Sequence, residues 1–469
     1  MNKKKALMKN TLIIFLGKLT TRMLSFFLLP LYTSYLATSE YGIVDLITTY
    51  VTLLVPLITL ELEMSIFRYL VDSRNKEKDT EELVTNNFLI LGSSLLIFTI
   101  LYIVVTHFWE IPFRWLILID IVICTISGNF LQVARGFGKN LDYTISCFIT
   151  GIGTILFNIL FIVIFPLGAK GLLWSIILAN GLGELYLFFK LKLYNMIHFR
   201  FTNKKLIKNL YKYSIPLVPN SISWWIVNAS DRTIISFVLG AAANGIYAVS
   251  NKFPTIISSI LGAFNLSWSE SAALHINSPD VNEFFSDTIN ATVKIFTSLG
   301  IGMLACLPFA FPILIHTKYG AAYYQIPILV LASVFNVVIC LYTAIYIAKK
   351  MTKKVASTTI MGAIINILVN VLLIKFIGLY AASISTAISY FIMMLHRHFD
   401  LKKYIQITYE KGLILKTVLM FIFVTFFYYK NNLILNVFSL VVAILYAYFM
   451  NKDFLKNGKN FIFQKFIRK

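Results

Sequence analysis

The chain alternates between long apolar runs and short polar gaps, and the length of the runs decides the fold class. About fourteen runs reach, or nearly reach, the roughly 20 residues that a membrane-spanning helix needs. They cover residues 11–36, 43–70, 84–106, 113–134, 144–165, 171–190, 213–239, 245–275, 288–315, 322–348, 356–376, 379–398, 413–429 and 432–450. The expected class is an all-α membrane protein.

Two pairs of connections repeat. Leu36-Ala-Thr-Ser-Glu-Tyr-Gly42-Ile43 matches Leu239-Gly-Ala-Ala-Ala-Asn-Gly245-Ile246, at an offset of 203. Pro166-Leu-Gly168-Ala-Lys-Gly171 matches Phe376-Ile-Gly378-Leu-Tyr-Ala381-Ala382, at an offset of 210. The chain then divides into an N-terminal six-helix lobe (1–190), a basic cytoplasmic linker (191–212), a C-terminal six-helix lobe (213–400), and two further helices with a basic tail (401–469). Two pseudo-symmetric lobes around a central cavity are the architecture of an alternating-access transporter.

Charge sets the expected orientation. Cations collect in every second gap: Lys3 to Lys9, Arg74 to Lys78, Arg135 and Lys139, Lys190 to Lys212, Lys349 to Lys354, Arg397 to Lys411, and the tail from Lys452. Roughly thirty lie on that side against about five on the other (Arg114, Lys170, Lys318, Lys375, Lys430), which predicts that both termini are cytoplasmic. The gap Ile276–Asp287 has no Lys or Arg and follows only by parity.

Composition narrows the function classes. A mean hydropathy of +0.77, with 58% hydrophobic and 13% charged residues, excludes a water-soluble protein. The net charge of +21 sits in loops, which argues against nucleic acid as a partner. Cys124, Cys147, Cys306 and Cys340 are isolated in apolar runs, and no Cys/His spacing suits a metal; neither metal nor cofactor is expected. The outer connections are too short for a soluble catalytic domain, so no enzyme is expected.

Polar residues within the runs carry the candidate chemistry. Lys18 and Arg22 lie one helical turn apart in the first span, where two cations cost roughly 5–7 kcal/mol on insertion scales. Both must face a polar cavity or an anion. Lys252 in the eighth span and, more loosely, Arg232 in the seventh join them as substrate-binding cations. Such a set suits a pyrophosphate, whose oxygens take charge-assisted hydrogen bonds. Asp45 is the candidate for ion coupling, or else a partner for one of these cations. Asp120 and Glu184, in otherwise apolar helices, are open to packing or to proton coupling. Trp224, Trp225 and Trp268 fit core packing better than sugar stacking. Pro56 and Pro254 occupy equivalent helices and predict kinks.

The basic start Lys3-Lys-Lys with Asn10-Thr-Leu and Gly17-Lys18, the Leu36–Gly42 turn and Gly378-Leu-Tyr-Ala-Ala-Ser-Ile-Ser-Thr-Ala-Ile resemble Wzx-type polysaccharide repeat-unit flippases. These belong to the superfamily of multidrug exporters and the peptidoglycan-precursor flippase. The resemblance spans roughly residues 1–450 and implies two six-helix lobes around a cavity lined by first-helix cations, here Lys18 and Arg22. It implies a flippase carrying undecaprenyl-pyrophosphate-linked oligosaccharides from the inner to the outer leaflet of a bacterial cytoplasmic membrane. Lipid-linked oligosaccharide, membrane lipid, a polysaccharide polymerase and glycosyltransferases are the implied partners. The rival readings are a multidrug or cation exporter of the same fold, which needs buried carboxylates, and a membrane-embedded polymerase.

Overall fold

Apolar runs in lipid leave the backbone no water to bond, so each must satisfy its own N–H and C=O groups as a helix. In the computed structural model, which describes residues 26–74, 76–453 and 456, every regular element is helical. Ten described helices are long and apolar enough to cross a membrane. The chain falls into two compact units, Met1–Gly245 and Ile246–Lys469.

The first unit contains α1 (Leu29–Tyr35), α2 (Thr38–Thr59), α3 (Leu62–Ser73), α4 (Glu77–Phe108), α5 (Arg114–Gly136), α6 (Asn140–Asn158), α7 (Gly168–Lys190), α8 (Lys204–Ser214), α9 (Val218–Val238) and the start of α10 (Ala241–His275). The second contains the rest of α10, α11 (Val281–Leu314), α12 (Ile326–Ala348), α13 (Thr352–Ile377), α14 (Tyr380–Leu401), α15 (Leu413–Lys430) and α16 (Leu433–Met450). Helices α9, α10 and α14 stand where spans were expected. They are long enough, at 21, 35 and 22 residues, but carry Asp231–Arg232, Lys252 and Arg397. The first span lies largely outside the described residues.

The second expected span is not one helix. It breaks at Leu60 and Glu61, both in the left-handed region with φ of 51° and 60°. Pro56, which cannot donate to the preceding turn, lies just upstream of the break, inside α2. Pro254, expected to kink the equivalent helix, lies within an unbroken α10.

The basic segment after the sixth span is more than a linker. Asn203 caps α8 by accepting from the N–H groups of Lys205 (2.9 Å) and Leu206 (3.2 Å). The apolar face of α8 then packs through Leu206, Ile207 and Leu210 onto the core of α3, α4 and α5.

An asparagine bracket recurs in both units. Asn86 of α4 donates to the Phe201 carbonyl (2.8 Å) and accepts from Asn203 N–H (2.9 Å). Asn290 of α11 donates to the Thr408 carbonyl (2.9 Å) and accepts from Glu410 N–H (3.2 Å). The two asparagines differ from the 203-residue repeat by a single position. Each bracket ties the segment leaving a sixth helix to the third helix of the same half, pairing backbone groups that would otherwise be orphaned. Internal pseudo-symmetry therefore extends to individual hydrogen bonds.

Arg397, expected among the loop cations, is instead wholly buried in α14. Its five N–H groups meet neutral acceptors: Thr358 Oγ1 at 3.0 Å, Thr343 Oγ1 at 2.5 Å, Thr359 Oγ1 at 3.2 Å, and the Ile339 and Val355 carbonyls at 3.3 Å. One side chain thus joins α12, α13 and α14.

In the last turn of α14, past the expected span 379–398, Asp400 accepts from Lys354 Nζ (2.7 Å to each oxygen) and from Tyr346 Oη (2.9 Å). Burial works against its charge, but these donors outweigh burial and hold the carboxyl below its ordinary value. A lowered carboxylate contributes stability that is complete above its unfolded pKa and is lost as pH falls through the folded one. The melting temperature of wild type should therefore exceed that of Asp400→Asn at neutral pH. The two should converge only below the usual aspartate value of about 3.9; convergence near pH 6 would contradict this.

Candidate functional site

The polar residues of α2, α9 and the first turn of α10 come together as a seam within the first unit. Helix α9 packs against α2 and offers Ser221, Trp225 and Arg232, three positions on one stripe of a 3.6-residue helix. Ser221 Oγ donates to Glu61 Oε1. Trp225 Nε1 donates to the Thr49 carbonyl at 2.9 Å. Arg232 Nε donates to Asp45 Oδ2 at 2.9 Å, with only 18% and 14% of the two side chains exposed. Away from bulk water such a pair is screened little, so it couples the two helices far more strongly than a surface pair could.

Beside this ion pair the backbones nearly touch. A Cβ on Gly42 would lie 1.8 Å from the Ala241 carbonyl oxygen, and one on Gly245 would lie 2.0 Å from that of Thr38. Under the offset of 203, Thr38 corresponds to Ala241 and Gly42 to Gly245, so the contact is reciprocal across the repeat. Glycine is required on both sides because any side chain would push the crossing apart. Asn244, wholly buried, bridges crossing and ion pair: its Nδ2 lies 2.8 Å from the Gly42 carbonyl and 3.5 Å from Asp45 Oδ2.

The residues singled out in the sequence fare differently. Lys18 and Arg22 lie outside the described residues. Lys252 is partly buried in α10, in the second unit. Arg232 and Asp45 are bonded to each other, which is the alternative reading of Asp45 as a partner for one of the cations rather than its reading as a coupling acid. Of the tryptophans, Trp268 is 2% exposed and donates to the Leu341 carbonyl at 3.1 Å, while Trp225 belongs to the seam; both serve packing. Among the described residues no cluster of three or more His, Cys, Asp or Glu side chains could hold a metal. Sequence reasoning missed Asn244, Asn86 and Asn290. Asn244 lies inside the repeated turn, and that position was its only signal.

Two helical units, an internal repeat and a polar seam beside a close crossing of equivalent helices define a multi-pass membrane protein with a transporter fold. Residues 7–268 match the family model described as "Polysaccharide biosynthesis protein", and the chain belongs to that family. Three solved structures share the fold. The lipid II flippase MurJ, in an inward closed conformation, is 14% identical with a TM-score of 0.72, over 95% of this chain and 100% of that one. An inward-facing multidrug resistance MATE family transporter of the MOP superfamily is 11% identical with a TM-score of 0.69, over 82% and 95%. A MOP superfamily transporter from Pyrococcus furiosus, described as having a binding pocket of reverse polarity, is 12% identical with a TM-score of 0.58, over 86% and 96%. No curated protein matches the chain. These three neighbours are described as two transporters and a flippase.

Proposed function

We propose that this protein is a flippase of the bacterial cytoplasmic membrane, with both termini cytoplasmic. It would move undecaprenyl-pyrophosphate-linked oligosaccharide units from the inner to the outer leaflet for cell-surface polysaccharide synthesis, by alternating access. The observation that carries this reading is the seam: equivalent helices cross at Gly42 and Gly245 and are latched by Asp45, Arg232 and Asn244. A latch of a few discrete bonds at a close crossing can be made and broken as a unit, which a two-state gate requires. The family match and the likeness to a lipid II flippase support the choice of a lipid-linked cargo. Lys18, Arg22 and Lys252 would take the diphosphate, the lobes 1–190 and 213–400 would move against one another, and the polymerase and glycosyltransferases would act before and after it.

The test is to deplete the protein in its native cell and to assay the sidedness of lipid-linked oligosaccharides. Finished units should build up on the cytoplasmic leaflet. Wild type should clear them, and the Lys18→Ala/Arg22→Ala double variant should not. Units that reach the outer leaflet and stay unpolymerised would overturn the reading.

A further inference from the structure

The seam removes Asp45 as an unengaged carboxylate, yet among the acids that the same unit buries, Asp120 and Glu184 each keep a carboxyl oxygen with no partner. Asp120 of α5 is wholly buried and Glu184 of α7 is 7% exposed. Asp120 Oδ2 and Glu184 Oε1 have no hydrogen-bond donor, and no ion pair among the described residues includes either group. We propose that Asp120 and Glu184 are a proton-binding pair that couples proton movement to the transport cycle; the coupling half of this rests on the flippase reading.

The two carboxyls line a single seam between α5 and α7, which pack together. Cys124 Sγ, one turn below Asp120, donates to Asp120 Oδ1 at 3.4 Å. Glu184 lies beside Ser127, further along the same helix. At 1.5 Å per residue the two acids stand about 10 Å apart along the axis, two stations of one path rather than a dyad sharing a proton. Next to Glu184 on each helix, at Gly128 and Gly181, an added Cβ would meet nothing within 4 Å.

The surrounding groups leave both acids without a counter-charge. At α3, which packs against α5, Arg68 is held by Asp72 and Arg74 by the Gly136 and Arg135 carbonyls; on α5 itself Arg135 lies in the last turn and donates to Gln132 Oε1 at 2.8 Å. Arg114 opens α5, while Lys170 and Lys190 occupy the first and last turns of α7, away from the pair. Asp142 on α6 accepts from Tyr186, and Glu61 at the start of α3 accepts from Ser221. Cys124 is the titratable group in contact with Asp120, and a thiol brings no positive charge. An unpaired carboxylate in such a place is costly, and a bound proton relieves that cost. A metal cation would need several oxygen ligands together, and no such group is formed among the described residues.

The experiment uses the full-length protein in lipid nanodiscs and pH-difference infrared spectroscopy. Wild type should show the carbonyl stretch of a protonated, buried carboxyl that bleaches as pH rises. Asp120→Asn and Glu184→Gln should each remove part of it, and the double variant should remove all of it. Should the double variant not fold, wild type carrying 13C in aspartate or glutamate side-chain carboxyls should shift the matching part of the band. In vesicles, an imposed pH gradient should speed wild-type flipping about tenfold and leave the double variant unaffected. No titrating band in wild type, a band unchanged by the variants, or one that answers to sodium rather than pH would overturn the site. A band removed by the variants while the gradient response persists would overturn the coupling. Wild type that binds protons but flips nothing would count against the flippase reading and leave the infrared result to decide the proton site.

Discussion

Asp45→Ala is expected to destabilise the protein by about 3–5 kcal/mol, because it strands the Arg232 guanidinium in a largely buried seam. Arg232→Ala should cost a similar amount by stranding the carboxylate. The double variant removes both charges and should cost no more than either single change. The measurement is a double-mutant cycle on thermal or denaturant unfolding in detergent. Strictly additive losses would show that the two side chains do not act as a unit, and the latch would then have no physical basis. The flippase reading adds a kinetic consequence. A weakened latch shifts the balance between the two access states, so both single variants should alter the rate of flipping even under conditions where they remain folded.

Arg397→Glu is expected to prevent accumulation of folded protein. The guanidinium donates to five oxygen acceptors, so a carboxylate in its place would be a buried anion surrounded by oxygen atoms. Arg397→Met should be mild by comparison, costing about 1–2 kcal/mol, because apolar replacement of a buried ion removes its desolvation penalty along with its bonds. The threonines make this possible. Thr343, Thr358 and Thr359 already donate to carbonyls of their own helices, at 2.7, 2.8 and 2.9 Å, and lose no partner when the arginine goes. Arg397→Ala should fall between the two, since it also opens a cavity. Expression level and melting temperature across the three variants test this. Equal losses for Met and Glu would mean that the site reads side-chain size rather than charge.

The membrane class, the near-complete list of spans and the repeat were all legible in the residues. Each rests on local information, the length of an apolar run or the likeness of two short turns. The matching turns at Leu36–Ile43 and Leu239–Ile246 even mark the helices that cross at Gly42 and Gly245. What the turns do not say is that they touch each other.

Partnership was the information missing from the sequence. Asp45 and Arg232 were each noticed as polar residues in apolar helices, yet 187 positions separate them, and nothing local joins a carboxylate to one guanidinium among several cations. Arg397 lay near the end of a span, where a snorkelling cation and a buried one have the same neighbours in sequence. Only the packing of α12, α13 and α14 around it, with three threonines turned inward, made it interior. The break at Leu60 and Glu61 likewise has no local signature beyond Pro56. Hydrophobic patterning records which solvent each residue prefers, and so by itself it determined the class, the spans and the repeat. Which polar groups meet inside depends on how helices far apart in the chain pack, and only the tertiary structure decided that.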